Sequence, residues 1–431
     1  MDGASEYRDA WRGLRILVPA GWQVRRSGPG LSLHAATGRQ VVIVQPRPGP
    51  RSVEQLEQDL AAWLERLDPR ARLQPEPGAP SPVRFFTATV VMPPGEEAIG
   101  LFAAQAGRGG GLITGFLAPA TDYDAASPVA IGALASLAAL PAQARHRWRE
   151  PVEGACTALV PEGWLAEGTI QSAPAQGLPT IEFRARSSDG MEAMAATSGR
   201  LSVEPGLLSG LLGGLSGGLV GRGRFVDAAA YAEAQLLPAL RQEVPSARIE
   251  AVIARPDLIA AGAAQEAAAS GIGVEQVLQG QPSAADVVFW FERDGREMRR
   301  VSRVLTMRVP ASLAHGLPLW MALTPYTYQA PADRMAAWEP VLEGVCLSFQ
   351  VDAMWKHRWQ AELAAEAGLH APGAPSDGTP LVGKAESLLA ASTGSPLAAH
   401  ERPFLIAPES IECPADLADL YNAGVWPQQA G

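Results

Sequence analysis

The sequence predicts an α+β fold: two tandem α/β sandwich domains with antiparallel sheets, followed by a flexible linker and a C-terminal tail. Three observations lead to this prediction. Runs of short strands are interrupted by few helices, a pattern typical of antiparallel sheets with helices on their faces. Two sequence landmarks recur in the same order, which indicates a duplication. The chain has 431 residues, 47% of them hydrophobic, enough for two or three domains with full apolar cores.

The first landmark is the pentapeptide VPAGW at residues 18–22, which recurs with one substitution as VPEGW at residues 160–164. Each pentapeptide follows a short apolar stretch that is typical of a strand. Proline ends the strand, glycine permits a turn, and tryptophan can return to the core. The pattern therefore predicts that each copy opens with a strand and a tight turn.

The second landmark is the tripeptide His-Arg-Trp, at residues 146–148 and again at residues 357–359. Cationic residues suit the C-terminal end of a helix, and tryptophan packs well, so we interpret the tripeptide as the exit from the last helix of each copy. The two landmarks predict a first domain over residues 8–148 and a second domain over residues 151–361.

The first copy predicts the element order β-β-β-α-β-β-β-α. Its first helix should begin with a capping box, because Ser52 is followed three residues later by Gln55. Apolar residues at helical spacing continue from Val53 to Leu67. After the opening strand, strands are predicted near residues 31–36, 41–46, 83–92, 98–105 and 111–117, and the second helix near residues 125–140.

The second copy contains about 69 additional residues, because 193 positions separate Trp164 from His357 but 124 separate Trp22 from His146. One insertion, at about residues 205–224, is rich in glycine and leucine. Another excess is the Ala-rich stretch at residues 260–278, which could add a helix. The first elements predicted for this copy are a helix capped by Asp227 and running to about Arg241, and a strand at 248–254. A hairpin of 286–292 and 297–309 follows, around a turn at 293–295. A strand near 318–324 then leads into a last helix, with Met335, Trp338, Leu342 and Val345 on one face.

The composition changes after the second copy. Residues 369–398 are rich in Pro, Gly, Ser and Ala, which indicates a linker. Residues 399–431 regain apolar side chains between Pro403 and Trp426. This tail is too short to fold alone, so we expect it to dock on a domain or to engage a partner.

The opening strand with its VPxGW turn, the amphipathic helix after three strands, and the closing strand–helix unit together resemble the PsbP/DcrB-like superfamily. The resemblance covers residues 8–148 and 151–361 in tandem, and the long insertion in the second copy departs from it. It implies small α/β sandwiches that act mainly without catalysis, as assembly factors, accessory subunits or binding proteins. In domain layout the chain is similar to the Eag-type chaperones of type VI secretion, which shield apolar transmembrane segments of an effector before export.

Motifs of catalysis and ligand binding are weak. Ser216 lies in a G-x-S-x-G match, but the match falls inside a Gly/Leu/Ser-rich run instead of a strand–helix turn. No two histidines lie three to five residues apart, and no phosphate-binding loop or dinucleotide fingerprint occurs. We therefore predict no enzyme activity, no cofactor, no metal and no small-molecule substrate. A hydrolase whose site is assembled from distant residues stays an alternative.

Charge and cysteine content bear on partners and compartment. A net charge of −10 disfavours nucleic-acid binding, which needs a basic surface. Three widely spaced cysteines fit a reducing compartment, and the N-terminal residues have no apolar signal segment. The most apolar run, residues 206–220, has 15 residues, whereas a membrane-spanning helix needs about 20. These features predict a cytoplasmic protein without a membrane span.

The partner-binding candidates come from three segments. Six leucines in residues 206–220 would be costly to leave in water, at about 25 cal/mol per Å². That run could fold on its own domain, form an apolar flap for a client, or touch a membrane surface. Alternation along the Arg-rich strand at residues 296–309 predicts one solvated face that could hold an acidic partner. The candidates are Leu207, Leu208, Leu211, Leu212, Leu215, Leu219, Arg300, Arg308, Phe404, Leu405, Ile406, Tyr421 and Trp426.

The favoured function is that of a noncatalytic binding protein, a chaperone or adaptor that shields an apolar protein client such as a secretion effector. The first alternative is a structural or accessory subunit that docks in a larger assembly through its C-terminal tail. The second alternative is the hydrolase named above.

Overall fold

The computed structural model describes residues 3–27, 30–77, 83–92, 95–107, 110–171, 180–197, 199–204, 221–259, 263, 274–309 and 319–359. The predicted α+β class with antiparallel sheets is confirmed. The described chain forms two units, divided in sequence between Gln143 and Ala144.

A seven-stranded antiparallel sheet is the middle layer of the first unit. Its strands are β3 (Gln23–Ser27), β4 (Gly30–His34), β5 (Val41–Pro48), β6 (Arg72–Pro75), β7 (Val83–Met92), β8 (Glu96–Ala106) and β9 (Gly110–Pro119). The spatial order is β3-β4-β5-β9-β8-β7-β6. Every residue of the central strand β9 is buried, which requires a cover on both faces of the sheet.

One face of this sheet is covered by helix α1 (Val53–Leu67), which packs on β7, β8 and β9. The predicted capping box is confirmed: the backbone N–H of Gln55 donates to Ser52 Oγ (3.3 Å), and the N–H of Ser52 donates to the side-chain carbonyl of Gln55 (3.0 Å). These bonds satisfy N–H groups that a helix start leaves without partners. The apolar stripe of α1 packs in the core through Leu56, Leu60 and Leu64.

The opposite face is covered by helix α2 (Tyr123–Ala135) and a small antiparallel sheet of β1 (Ser5–Asp9), β2 (Leu14–Val18) and β10 (Ala138–Ala139). Alternate residues of a strand face opposite sides, so Phe116 of β9 joins the core under α2 while Leu117 joins the core under α1. The first unit is therefore a three-layered sandwich.

The second unit repeats this arrangement and adds three strands. Its strands are β11 (Arg145–Arg149), β12 (Cys156–Pro161), β13 (Leu165–Gln171), β14 (Thr180–Arg186), β15 (Glu192–Ala196), β16 (Gly199–Val203), β17 (Gly221–Arg222), β18 (Arg248–Ala254), β19 (Ser283–Arg293), β20 (Arg296–Arg308), β21 (Leu319–Leu323), β22 (Tyr326–Pro331) and β23 (Gln350–Val351). The order β13-β14-β15-β22-β20-β19-β18 matches the seven-stranded sheet of the first unit strand for strand. Likewise, β11-β12-β23 corresponds to β1-β2-β10. The added strands β16, β17 and β21 extend from the C-terminal half of β20.

Helices also occupy corresponding places in the second unit. The counterpart of α1 is α3, which comprises Ala228–Tyr231, a π-helical turn at Ala232–Leu236, and Leu237–Glu243. The predicted cap is confirmed, because the N–H of Ala230 donates to the Asp227 carboxylate (2.8 Å). Short helix α4 (Val274–Leu278) belongs to the added chain, and α5 (Met335–Leu347) corresponds to α2. A last helix, α6, covers residues 353–359.

The VPxGW turns have the same geometry in both units. The N–H of Trp22 donates to the carbonyl of Pro19 (3.1 Å), and the N–H of Trp164 donates to that of Pro161 (3.2 Å). The glycine of each turn has positive φ, +77° at Gly21 and +79° at residue 163. Glycine adopts this conformation without the steric cost that other residues meet. The interpretation of the pentapeptide as a strand end and tight turn is confirmed.

The interpretation of His-Arg-Trp as a helix exit is wrong. Helix α2 ends at Ala135, and residues 146–148 lie in β11, which pairs with β12 of the second unit. The later tripeptide lies inside α6. Short polar strands were also missed: β1, β3 and β6 carry arginine, glutamine or glutamate at alternate positions and lack the apolar pattern that marks a strand.

Candidate functional site

Most of the predicted partner-binding residues lie outside the described part of the chain. These are the six leucines of the insertion and the five tail residues: Leu207, Leu208, Leu211, Leu212, Leu215, Leu219, Phe404, Leu405, Ile406, Tyr421 and Trp426. Ser216 of the G-x-S-x-G match lies outside it as well. Their roles stay predictions.

The two predicted arginines lie on β20, on a face that is buried except at its Arg308 end. Ser302 and Thr306, which share that face, are 4% and 2% exposed. The prediction of a solvated face is wrong, because α3 packs on β20 and buries it. The side chain of Arg300 is 14% exposed and donates to the side-chain carbonyl of Gln329 (3.0 Å), whereas the side chain of Arg308 is 40% exposed and contacts Glu204 (3.2 Å).

The other face of β20 holds a buried ion network centred on Arg303, whose side chain is 2% exposed. Its guanidinium donates two hydrogen bonds to the carboxylate of Asp286 (2.7 and 2.9 Å) and one to Glu343 (3.3 Å). The hydroxyl of Tyr326 donates to the same Glu343 oxygen (3.1 Å). Arg255 donates to Asp286 from the opposite side (2.5 Å).

The two guanidinium groups of the network keep the Asp286 carboxyl in its charged form. Burial alone would raise the pKa of Asp286, but the guanidinium groups of Arg303 and Arg255 outweigh burial and hold that pKa below its ordinary value. Burial raises the pKa of Tyr326 well above its ordinary value, so the hydroxyl stays a hydrogen-bond donor. Each carboxylate has a donor within hydrogen-bonding distance, which is the arrangement of a structural network instead of a poised acid or base.

The same positions of the first unit are apolar. Pro119 and Pro331 end the corresponding strands β9 and β22, and helices α2 and α5 begin four residues after each proline. These two prolines are therefore equivalent. Counting along the paired strands from them gives the equivalent residue of one unit for each residue of the other. The equivalents are Phe85 for Asp286, Ala103 for Arg303 and Ile131 for Glu343.

Beyond the network, the second unit covers this half of its sheet with its own chain. Leu258, Ile259 and Val277, from the segment between β18 and β19, lie over Leu305 and Met307 of β20. They enclose an apolar cavity of about 20 Å³, which is room for about one water molecule. These three side chains therefore cover this part of the sheet in the second unit.

The corresponding connection of the first unit is much shorter. Between β18 and β19 the second unit has 28 residues, but between β6 and β7 the first unit has seven. Helix α2 packs on β9 and β2. Val83, Phe85 and Leu101 are half-buried there, whereas Val301, the equivalent of Leu101, is 6% exposed. We call this surface of β7 and β8, with Ile131 at its border, the half-face.

The half-face ends in an unusual polar residue. Gln105 of β8 is 5% exposed, and among the described residues its side-chain carbonyl oxygen has no hydrogen-bond partner. The equivalent residue of the second unit is Leu305, by the same registers. A buried acceptor without a donor costs about 1–3 kcal/mol. A polar side chain at this position is unexpected on an apolar surface. Strand periodicity assigns Gln105 to a face but does not show that the residue is buried.

Groups with catalytic potential are sparse in the described residues. Ser32 Oγ and His34 Nε2 lie 2.8 Å apart on one strand. Burial raises the pKa of the Cys156 thiol to about 12, which makes it a poor nucleophile. Among the described residues, no cluster of three His, Cys, Asp or Glu side chains could hold a metal ion, and no helix is long and apolar enough to cross a membrane.

Comparison with known proteins gives partial structural matches. No family model and no curated protein matches the chain. The solution structure of cyanobacterial PsbP (CyanoP) from Synechocystis sp. PCC 6803 matches 32% of this chain and 94% of its own, at 13% identity and a TM-score of 0.25. The apo structure of the immunity protein TplEi of the T6SS from Pseudomonas aeruginosa matches 77% of this chain and 97% of its own, at 9% identity and a TM-score of 0.16. Matches at these TM-scores assign neither a family nor a function.

Proposed function

We propose that the chain is a noncatalytic binding protein that holds an apolar segment of a protein partner on the half-face of its first unit. The observation that carries this proposal is the contrast between the two units. In the second unit, Leu258, Ile259 and Val277 of a 28-residue connection cover the sheet, whereas the equivalent connection of the first unit has seven residues. An apolar sheet surface gains about 25 cal/mol for each Å² that a partner covers.

The residues that cover the sheet of the second unit indicate what kind of segment would fit the half-face of the first unit. Leu258 and Ile259 belong to a helical turn at residues 256–259, and Val277 belongs to α4. Short helical elements with two or three apolar side chains thus suit this surface. A chaperone or adaptor role follows when such a segment belongs to a client that would be insoluble by itself.

Binding of a defined peptide tests the proposal. The probe is a fluorescein-labelled 20-residue helical peptide of leucine and alanine with terminal lysines, titrated with the full chain by fluorescence anisotropy. We expect Leu101→Asp to weaken binding at least tenfold, because a buried charge without a partner disrupts an apolar contact. The matched control is Leu165→Asp in the second unit, at a side chain that is already 77% exposed. Equal binding by the Leu101→Asp variant, with circular dichroism showing it folded, would refute the proposed site.

A further inference from the structure

We propose that the second unit carries a binding site for a carboxylate of a protein partner, formed by the guanidinium groups of Arg293 and Arg300 at the C-terminal end of α3. Glu243 of this chain occupies the site loosely, and an aspartate or glutamate of the partner replaces it. The inference is independent of the proposed function, because it concerns other residues, in the other unit, and a polar contact instead of an apolar one.

The first argument is that Glu243 holds neither arginine by a hydrogen bond. Its Oε2 atom lies 3.8 Å from Nη2 of Arg300 and 3.9 Å from Nη2 of Arg293. A hydrogen bond between a guanidinium and a carboxylate is about 2.7–2.9 Å long. Glu243 is also the last residue of α3, where the negative end of the helix dipole disfavours a carboxylate, and its side chain is 61% exposed. It is therefore a weak ligand that a better placed carboxylate can displace.

The second argument is that the two guanidinium groups are held in place. Their Cζ atoms lie near the centre of the Phe291 ring, at 5.3 Å for Arg293 and 5.6 Å for Arg300. Nε of Arg300 donates to the side-chain carbonyl of Gln329 (3.0 Å), and the amide of Gln329 donates in turn to the buried carboxylate of Glu192 (2.7 Å). These bonds fix the amide of Gln329 with its oxygen towards the guanidinium. An arginine that is already oriented loses little side-chain freedom when it binds a carboxylate.

The third argument is that Arg300 keeps donors for a further acceptor. Among the described residues, its Nη groups donate no hydrogen bond, although its side chain is only 14% exposed. Burial lowers the pKa of Arg300, and the neighbouring guanidinium groups of Arg293 and Arg184 add to that effect. A carboxylate that joins the cluster stabilises the buried charge and accepts the hydrogen bonds that the Nη groups can donate.

The charge balance favours a carboxylate over a phosphate. Three arginines and two glutamates interact around this point: Arg184, Arg293, Arg300, Glu192 and Glu243. The set carries one net positive charge, which a single carboxylate neutralises and a phosphate dianion exceeds. Nη1 and Nη2 of Arg300 also form the planar fork that the two oxygens of a carboxylate match.

The first unit forms the same sheet without these polar residues. By the strand registers, the equivalents are Gly100 for Arg300, Leu117 for Gln329 and Val41 for Glu192. Buried polar groups are costlier to fold than apolar ones at the same positions. The polar chain in one copy alone therefore favours a role other than holding the sheet together.

Titration of the full chain with an acidic peptide tests the site. The probe is a rhodamine-labelled 12-residue peptide of glycine and serine with four glutamates, and the control peptide has four glutamines instead. Binding is followed by fluorescence anisotropy at about 0.1 M salt, where charges more than about 10 Å apart are largely screened. We expect Arg300→Met to weaken binding of the acidic peptide about tenfold, through loss of charged hydrogen bonds. Glu243→Gln should tighten it about threefold, because a weak internal competitor is removed.

The matched control is Arg299→Met, which removes the same charge from the opposite face of β20. The side chain of Arg299 is 40% exposed and bound to Glu250, so the affinity for the peptide should stay the same. If Arg300→Met does not fold, Arg293→Met replaces it, because that side chain is 35% exposed and its loss should also weaken binding.

The inference is overturned if a folded Arg300→Met or Arg293→Met variant binds the acidic peptide as the wild type does. It fails equally if Glu243→Gln binds no more tightly, or if the glutamine peptide binds as well as the glutamate peptide. Competition identifies the anion: displacement of the peptide by less acetate than inorganic phosphate supports a carboxylate site, and the reverse order refutes it. None of these outcomes changes the binding of the Leu/Ala peptide at Leu101, so the proposed function stands or falls separately.

Discussion

Replacing Arg303 by methionine should destabilise the second unit severely, because it leaves two buried carboxylates short of a partner. Removal of one member of a buried ion pair costs about 3–5 kcal/mol. Asp286 keeps Arg255 at 2.5 Å, and Glu343 keeps the hydroxyl of Tyr326 at 3.1 Å. Neither carboxylate is left without a donor, so we place the cost at the lower end, about 3 kcal/mol. That free energy corresponds to a factor of about 150 in the opening equilibrium.

Hydrogen exchange read by mass spectrometry measures this cost within the full chain. Peptides from β20 and α5 should exchange about 150-fold faster in the Arg303→Met variant, provided that exchange reports the opening equilibrium. The matched control is Arg308→Met on the same strand. Its side chain is 40% exposed, and an exposed ion pair is worth at most about 1 kcal/mol, so we expect less than about a fivefold change.

A second substitution separates the charge from the shape of the side chain. Adding Glu343→Gln to Arg303→Met removes one of the two buried carboxylates that lost Arg303. Hydrogen exchange in the double variant should therefore be at least tenfold slower than in Arg303→Met. The reasoning is refuted if Arg303→Met exchanges within threefold of the wild type. It is refuted equally if the double variant exchanges as fast as the single one.

Three further predictions concern the duplicated framework. Gly21→Ala and Gly163→Ala should each lower stability by about 1 kcal/mol, visible as matching falls in Tm. Positive φ disfavours alanine, and no atom lies within 4 Å of either new Cβ. Ser348→Ala should cost about 1 kcal/mol in a urea titration, because the N–H of Leu159 donates to the Ser348 hydroxyl (2.8 Å). Burial raises the pKa of Glu150, but four backbone N–H groups outweigh it and hold that pKa low. The stabilisation by Glu150 is therefore present above about pH 4.3, the pKa of the unfolded state, and is lost as the pH falls through the lower pKa of the folded state. Amide exchange at residues 152–155 should become faster in that lower pH range.

The duplication was predictable from sequence where it depends on backbone geometry. The VPxGW turn needs a proline, a glycine with positive φ and a tryptophan, so few residue types satisfy it and the pentapeptide survives in both copies. Other features that the two units share depend on single residues whose neighbours in the sequence differ. Ser136 and Ser348 both accept from the opening strand at 2.8 Å, and Pro128 and Pro340 are both the sixth residue of their helices. A single identical residue among many different ones is not recognisable as a repeat in the sequence, although it occupies the same position in the fold.

The candidate surface was not predictable from sequence for a related reason. Arg303 reads as one more charged residue of an Arg-rich strand, and alternation assigns such strands a solvated face. The strand is buried on both faces because α3 and the chain between β18 and β19 cover it from opposite sides. Covers of this kind are brought from distant sequence, so local periodicity contains no information about them. The half-face is visible only when the two units are compared strand by strand.

The two copies of the sheet also differ at the edge where the covering segment begins. Strand β6 has four residues and ends in Pro75, which has no N–H to offer to a neighbouring chain. Strand β18 has seven residues without proline, pairs with β19 alone among the described strands, and exposes Val252 (43%) and Ile253 (53%). An unpaired apolar edge is a template for association between molecules. One copy therefore has an edge blocked by proline, whereas the described strands of the other copy leave an apolar edge that offers a template for association.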